Sequence, residues 1–266
     1  MAVVVSLSTA RPRDPSPVTR QLDPMTPYVD RIYRKRLRPQ GLFCFQVAVR
    51  ETDLWVCTDR DMESETRNLV FAVRHQLETY IRYHPTFSSS LVPLKEDPYA
   101  PKVVKEMLRA SGKAGVGPMA AVAGAIAQEV GEGLLKWTRE AIVENGGDIY
   151  LKADRPVTVS IFAGKSPLSG RLGLRIPTRQ MPLGVCSSSG TIGHSLSEGS
   201  ADAVCILSRS AALADSAATA LGNRIRNRAD LKRLGNRAGQ IPGILGGVAI
   251  KNEAVAAWGD VELIEA

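Results

Sequence analysis

The stretch "AIVENGGDIYLK" at 141–152 limits the fold more than any other part of the chain. Two β-rich runs flank Gly146-Gly147, and paired glycines supply the positive backbone angles that a tight hairpin needs. A hairpin makes its strands antiparallel, and the rest of the sequence extends that choice. "LFCFQVAVR" (42–50) and "DLWVCT" (53–58) read as a second hairpin about Glu51-Thr52. "VTVSIF" (157–162), "LGLRI" (172–176), "DAVCILS" (202–208), "GVAI" (247–250), "AVAAW" and "VELIE" add further strands.

Helical patterns lie between these runs. Leu69, Val73, Leu77 and Ile81 recur at helical spacing and predict an amphipathic helix over 62–83, ending before His84-Pro85. A short helix is expected over 102–111 and a longer one over 118–138, where Ala120, Ala121, Ala123, Gly124, Ala125 and Ala127 leave room for close packing. "ADSAATALGN" (214–223) is a fourth, because alanine favours helix and Gly222-Asn223 is a common terminator. The expected class is α+β, with mainly antiparallel sheets and packed helices. Residues 1–27, rich in proline, serine and threonine without periodicity, read as a flexible leader to a single domain over 28–266.

Composition narrows the function classes. Hydrophobic content of 44% and charged content of 23% are ordinary for a globular chain, and no apolar run approaches the ~20 residues that span a bilayer. The N-terminus has no early positive charge and too short an apolar run for a signal peptide, so a cytoplasmic location is expected. Cys44, Cys57, Cys186 and Cys205 stand singly in strand-like segments without a CxxC pair, which predicts reduced, buried thiols. The net charge of +7 is concentrated in "VDRIYRKRLRPQ" (29–40) and "NRIRNRADLKRLGNRAGQ" (223–240). The first run holds one aromatic residue, Tyr33, and the second none, and no nucleic-acid motif accompanies either, so the reading is a solvated face or subunit contact rather than nucleic acid. The small-residue helix at 118–138 adds an expectation of a homo-oligomer.

Four segments carry possible chemistry. "GKAGVGPMAAVAGA" (112–125) is a glycine-rich entry to a helix, where unpaired N–H groups and the helix dipole can hold a phosphate. It matches neither the P-loop nor the Rossmann fingerprint, and an interhelical turn with Pro118 at the helix start explains it equally. "ENGGDI" (144–149) is first a turn, although Asn145 and Asp148 add acceptors where backbone can approach a ligand. "CSSSGTIGHS" (186–195) gathers hydroxyls, two glycines and His194 into a possible phosphate nest. Asp215 and Thr219, four apart, share a helix face and present a carboxylate and a hydroxyl, which suits Mg²⁺ beside a ligand's phosphates. The competing reading is an Asp that caps a helix and a Thr bonded to its own backbone.

Taken in order, "VENGGDIYL", "SSSGTIGHS" and "ALADSAATALGN" resemble the ApbE-like superfamily, whose best-known members are flavin transferases that move FMN from FAD onto a protein threonine. The resemblance covers roughly residues 42 to 264, and "VRETDLWV" (49–56) is similar to a short cytoplasmic branch. It implies a fold related to the T-fold, which elsewhere holds purines and pterins. It implies Asp215 and Thr219 as magnesium ligands, with a main-chain carbonyl near Gly117 as a third. Gly117, Pro118, Met119, Asn145, Gly146, Gly147, Asp148, Ser188, Ser189, Gly190 and Thr191 would line a nucleotide pocket, with His194 in place of a family histidine. Where the transferases have a Lys-Gly pair opening the central helix, this chain has Gly117-Pro118-Met119. Two expectations follow: a Mg-dependent protein that cleaves or transfers part of FAD, or a cofactor protein that holds a flavin or pterin without transfer.

Overall fold

The computed structural model describes residues 3–6, 41–189 and 199–265. Strand β1 (Val3–Ser6) lies in the stretch read as a leader. Strands β2 (Phe43–Val49) and β3 (Thr52–Thr58) form the first hairpin. Its turn is Arg50-Glu51, one residue earlier than the sequence suggests, with Arg50 at φ 52°. Helix α1 (Glu63–Tyr83) follows, with Glu63 and Glu65 in its first turn and Arg82 in its last, each favourable to the helix dipole. It buries Thr66, Val70, Val73 and Leu77, a stripe rotated slightly from the expected one, with Leu69 and Ile81 at its margins.

A single turn, α2 (Thr86–Ser89), and a proline-rich loop lead to α3 (Lys102–Ala114), which ends where Gly115 takes φ 75°. The expected helix over 118–138 is corrected to a 3-10 turn (Pro118–Ala121) and α4 (Val122–Leu134). Strands β4 (Ala141–Asn145), β5 (Asp148–Lys152), β6 (Val157–Ile161) and β7 (Leu172–Ile176) fall where the sequence places them. Strand β8 (Leu183–Ser188) does not, because part of it was read as a phosphate loop. Strand β9 (Ala203–Ser208) precedes α5 (Ala211–Gly222), whose hydroxyl N-cap is Ser210. A further 3-10 turn (Arg228–Arg233), α6 (Leu234–Ala238) and strands β10 (Ile244–Lys251), β11 (Ala254–Gly259) and β12 (Glu262–Glu265) follow.

The strands form two sheets, ordered β11-β10-β9-β8-β5-β4-β3-β2 and β1-β6-β7-β12, and every pairing is antiparallel. Helices cover one face of the long sheet and the short sheet covers the other. Strand β9 shows why its sequence is apolar throughout: Val204 and Ile206 enter the helical core, while Ala203, Cys205 and Leu207 enter the core between the sheets. The fold is α+β, as expected.

The thiol expectation is corrected for two cysteines. Cys44 and Cys57 sit directly opposite each other in the β2–β3 register, with Cα atoms 4.2 Å apart, and are joined as a disulfide. Cys186 and Cys205 are buried thiols.

Candidate functional site

The tip of the β4–β5 hairpin and the two central helices meet at one place. Gly146 (φ 69°) and Gly147 (φ 107°) make the turn, and Asn145 pairs with Asp148 across it. The tip is fastened to β8: the Ser187 N–H donates to Asp148 Oδ1 at 3.1 Å, and Ser187 Oγ donates to the Gly147 carbonyl at 3.1 Å. The Gly147 N–H donates to Glu144 Oε1 at 2.7 Å.

Helix α5 lies against the sheet where Gly184 of β8 offers no side chain. A Cβ there would be 2.3 Å from Ala211 Cα. Helix α4 approaches α5 as closely at Gly124, where a Cβ would meet the Ala211 carbonyl oxygen at 2.3 Å. Gln128 ties the two helices, its Oε1 accepting the Ala211 N–H at 2.8 Å. The small residues of α4 therefore serve contacts within the chain. Gly131 faces Tyr150 and Gly133 faces Leu69, so they give no support to a subunit contact.

Helix α4 has no side-chain cap of its own. Asp215, from the middle of α5, takes that role: Gly124 donates its N–H to Asp215 Oδ2 at 2.9 Å, and Ala123 contributes a second backbone donor. These are the second and third residues of α4, the donors that an N-cap normally satisfies. Asn145 Nδ2 donates to the Ala123 carbonyl at 3.1 Å, so β4 and α5 grip the same turn.

Two buried carboxylates result. Burial pushes Asp148 up to about 7, against the pull of the Ser187 N–H. Burial, and then the charge of Asp148, hold Asp215 well above the usual carboxylate range. Burial and the same two charges also raise the Cys186 thiol, which donates to the Ala211 carbonyl at 3.2 Å. Among the described residues both aspartates accept backbone N–H groups rather than an ammonium or guanidinium. A carboxylate has about four acceptor directions, so capping leaves Asp215 capacity for a cation. Thr219, half-buried, lies one turn further along α5. The donor chemistry fits a hard divalent ion completed by a ligand's oxygens, whereas no cluster of three or more His, Cys, Asp or Glu able to hold a metal occurs among the described residues.

The remaining expected residues are dispersed around this junction. Gly117, Pro118 and Met119 form the 3-10 turn that enters α4. Gly117 is pressed on the loop after α2, where a Cβ would lie 1.8 Å from the Ser90 carbonyl oxygen. Ser188 and Ser189 are buried, and Ser188 Oγ lies 3.5 Å from where a Gly222 Cβ would stand. Gly190, Thr191 and His194 lie outside the described residues. Sequence reasoning missed Gln128 and Gly184 as parts of this junction and did not single out Cys186 and Ser187 within the run at 186–195; Gly184, a glycine within an apolar run, carried a signal of close backbone approach.

The fold is that of the ApbE flavin transferases. The apo form of the flavinyl transferase ApbE of Pseudomonas stutzeri matches with a TM-score of 0.57 at 14% identity, over 82% of this chain and 94% of that one. A flavin transferase ApbE from Vibrio cholerae matches with a TM-score of 0.50 at 13% identity, over 83% and 98%. A UPF0280 protein of Methanocella arvoryzae is 44% identical over 212 residues, 79% of this chain and 86% of its own length. One of Methanospirillum hungatei JF-1 is 42% identical over 218 residues, 81% and 87% respectively. The family model described as "AbpE bacteria" matches residues 34–241, and the chain belongs to that family within the ApbE-like superfamily. No helix among the described residues is long and apolar enough to cross a membrane.

Proposed function

We propose that the protein binds a flavin nucleotide, FAD or FMN, through a magnesium ion held by Asp215 and Thr219. The observation that carries this reading is the buried pair Asp148 and Asp215, the latter capping the start of α4, with no basic side chain among the described residues bonded to either, in the fold shared with flavin transferases. A magnesium ion there would neutralise phosphate charge and polarise a phosphoryl oxygen. The Asp215 carboxylate would hold that ion together with the first turn of α4. Asn145 and the Gly146-Gly147 turn form the wall that backbone can share with a ligand, and Asp148 is placed to hold a proton near neutral pH.

The second reading, a flavin or pterin holder without transfer, is favoured by Gly117. The tight contact with Ser90 leaves no space for a side chain at the turn that in the transferases carries a lysine. Titration of FAD into the wild type, Asp215→Ala and Thr219→Val, each with Mg²⁺ and with EDTA, tests the site. Magnesium-dependent affinity should be lost in the first variant and weakened in the second, and EDTA should abolish the difference. Equal, magnesium-insensitive affinities across all three proteins would return Asp215 to a purely structural cap. Mass spectrometry of the incubated nucleotide separates the two readings, since release of FMN or AMP occurs only with cleavage.

A further inference from the structure

The segment after α5 carries the strongest charge asymmetry among the described residues. Between 223 and 240 stand Arg224, Arg226, Arg228, Lys232, Arg233 and Arg237 against a single acid, Asp230, so five of the chain's seven net positive charges lie in this run. Asp230 is engaged as a cap, accepting the N–H groups of Arg226 at 2.9 Å and Asn227 at 3.0 Å. Among the described residues none of the six cations stands in a salt bridge. All but Arg237 are exposed.

This segment packs beside β11, with Gly235 close against Trp258. Strand β11 is an edge of the long sheet and, among the described residues, pairs only with β10. Its sequence, AVAAWG, has neither the charge nor the proline that usually protects a sheet edge. The β10–β11 hairpin closes on Lys251 and Ala254 about a two-residue turn, so alternation of the ladder directs the N–H groups of Val255 and Ala257 away from β10. Both residues are exposed.

We propose that the open edge of β11 receives an extended, acidic polypeptide segment as an added strand, whose carboxylates pair with the cations of 224–237. A second copy of this chain pairing through the same edge would bring two such cationic segments together and is opposed by their repulsion. Nucleic acid would use the arginines but not the strand's outward donors and acceptors, and the run offers no aromatic residue for stacking.

The test uses two labelled probes in fluorescence anisotropy: a peptide of about ten residues alternating Glu and Val, and a single-stranded oligouridylate of about twenty nucleotides, at ~50 and ~300 mM salt. The peptide should bind, weaken with salt, and shift the amide NMR signals of Val255 and Ala257. Ala257→Pro, which removes one outward donor without breaking a β10 bond, and the double variant Arg228→Glu/Arg233→Glu should each lower peptide affinity about tenfold. If Ala257→Pro does not fold, the amide shifts and the charge variant still decide. Absence of peptide binding, unshifted edge amides, or oligouridylate binding that is tighter and indifferent to Ala257→Pro would overturn the proposal. So would a wild-type dimer in light scattering that Ala257→Pro abolishes.

Discussion

On the side of the long sheet that faces the short one, Ile149, Leu151 and Val185 meet Val157, Val159, Ile161 and Leu174 in a core of branched aliphatic side chains. On the side that faces the helices, the neighbouring positions Tyr150 and Cys186 meet glycines and alanines, and buried aspartates are tied to backbone N–H groups. The first face buries mainly apolar area. The second gives up side-chain volume for backbone proximity, and that proximity lets acids be buried where we propose a ligand binds. One set of strands feeds both cores, so the aliphatic core and the polar junction draw on alternate residues of the same strand.

The contrast can be broken first at the aliphatic face. Leu151→Ala should cost about 2–5 kcal/mol in denaturant unfolding, from lost transfer energy and the cavity left behind, while FAD affinity of the folded protein stays unchanged. A parallel loss of affinity would show that the two faces are not independent. The next effect is on pH dependence. Because Asp148 has its carboxyl raised to about 7 in the folded state, above its value in the unfolded chain, the folded state binds more protons between these values. Its contribution to stability is therefore full below about pH 4 and is lost as pH rises towards 7, with a slope of up to ~1.4 kcal/mol per pH unit. Asp148→Asn should flatten the wild-type curve in that window, and identical curves would place the titration elsewhere.

Gly124→Ala sharpens the comparison on the helical face. Its methyl would stand 2.3 Å from a backbone oxygen, so a stability loss of about 1–3 kcal/mol is expected, together with weaker magnesium-dependent binding as α4 leaves Asp215. Calorimetry of the folded variant tests the second part. Thr219→Val should have the smallest effect, a loss of roughly severalfold in magnesium-dependent affinity with unfolding unchanged, since a neutral hydroxyl contributes less than a charged ligand.

The same division sets what the sequence could convey. Strand alternation, the Gly146-Gly147 turn and the stripe of α1 are local patterns, and the hairpins and long helices follow from them. Strand β8 escaped because Gly184, Ser187 and Ser188 look like loop residues, although the glycine serves a helix above it and the serines serve the hairpin tip beside it. The Cys44–Cys57 bond depends on a hairpin register that residue spacing leaves open. Asp215 was legible as a special residue through its alanine surroundings, and of its two readings the helix cap is the one its contacts describe. Which helix it caps was not legible, because the donor belongs to a segment 91 residues away.

That separation has a consequence for how the chain assembles. Helix α4 leaves the ribosome before the residue that satisfies its first turn, and until α5 arrives the donors of Ala123 and Gly124 have only water as partner. Early in synthesis its first turn should fray, while α1 and the β2–β3 hairpin, whose contacts are nearer in sequence, can settle. Docking α5 then ends the fraying, closes a long loop and brings Asp215 into the junction in a single event. A chain truncated before residue 211 would lack Asp215, so the proposed site and the fold are completed together.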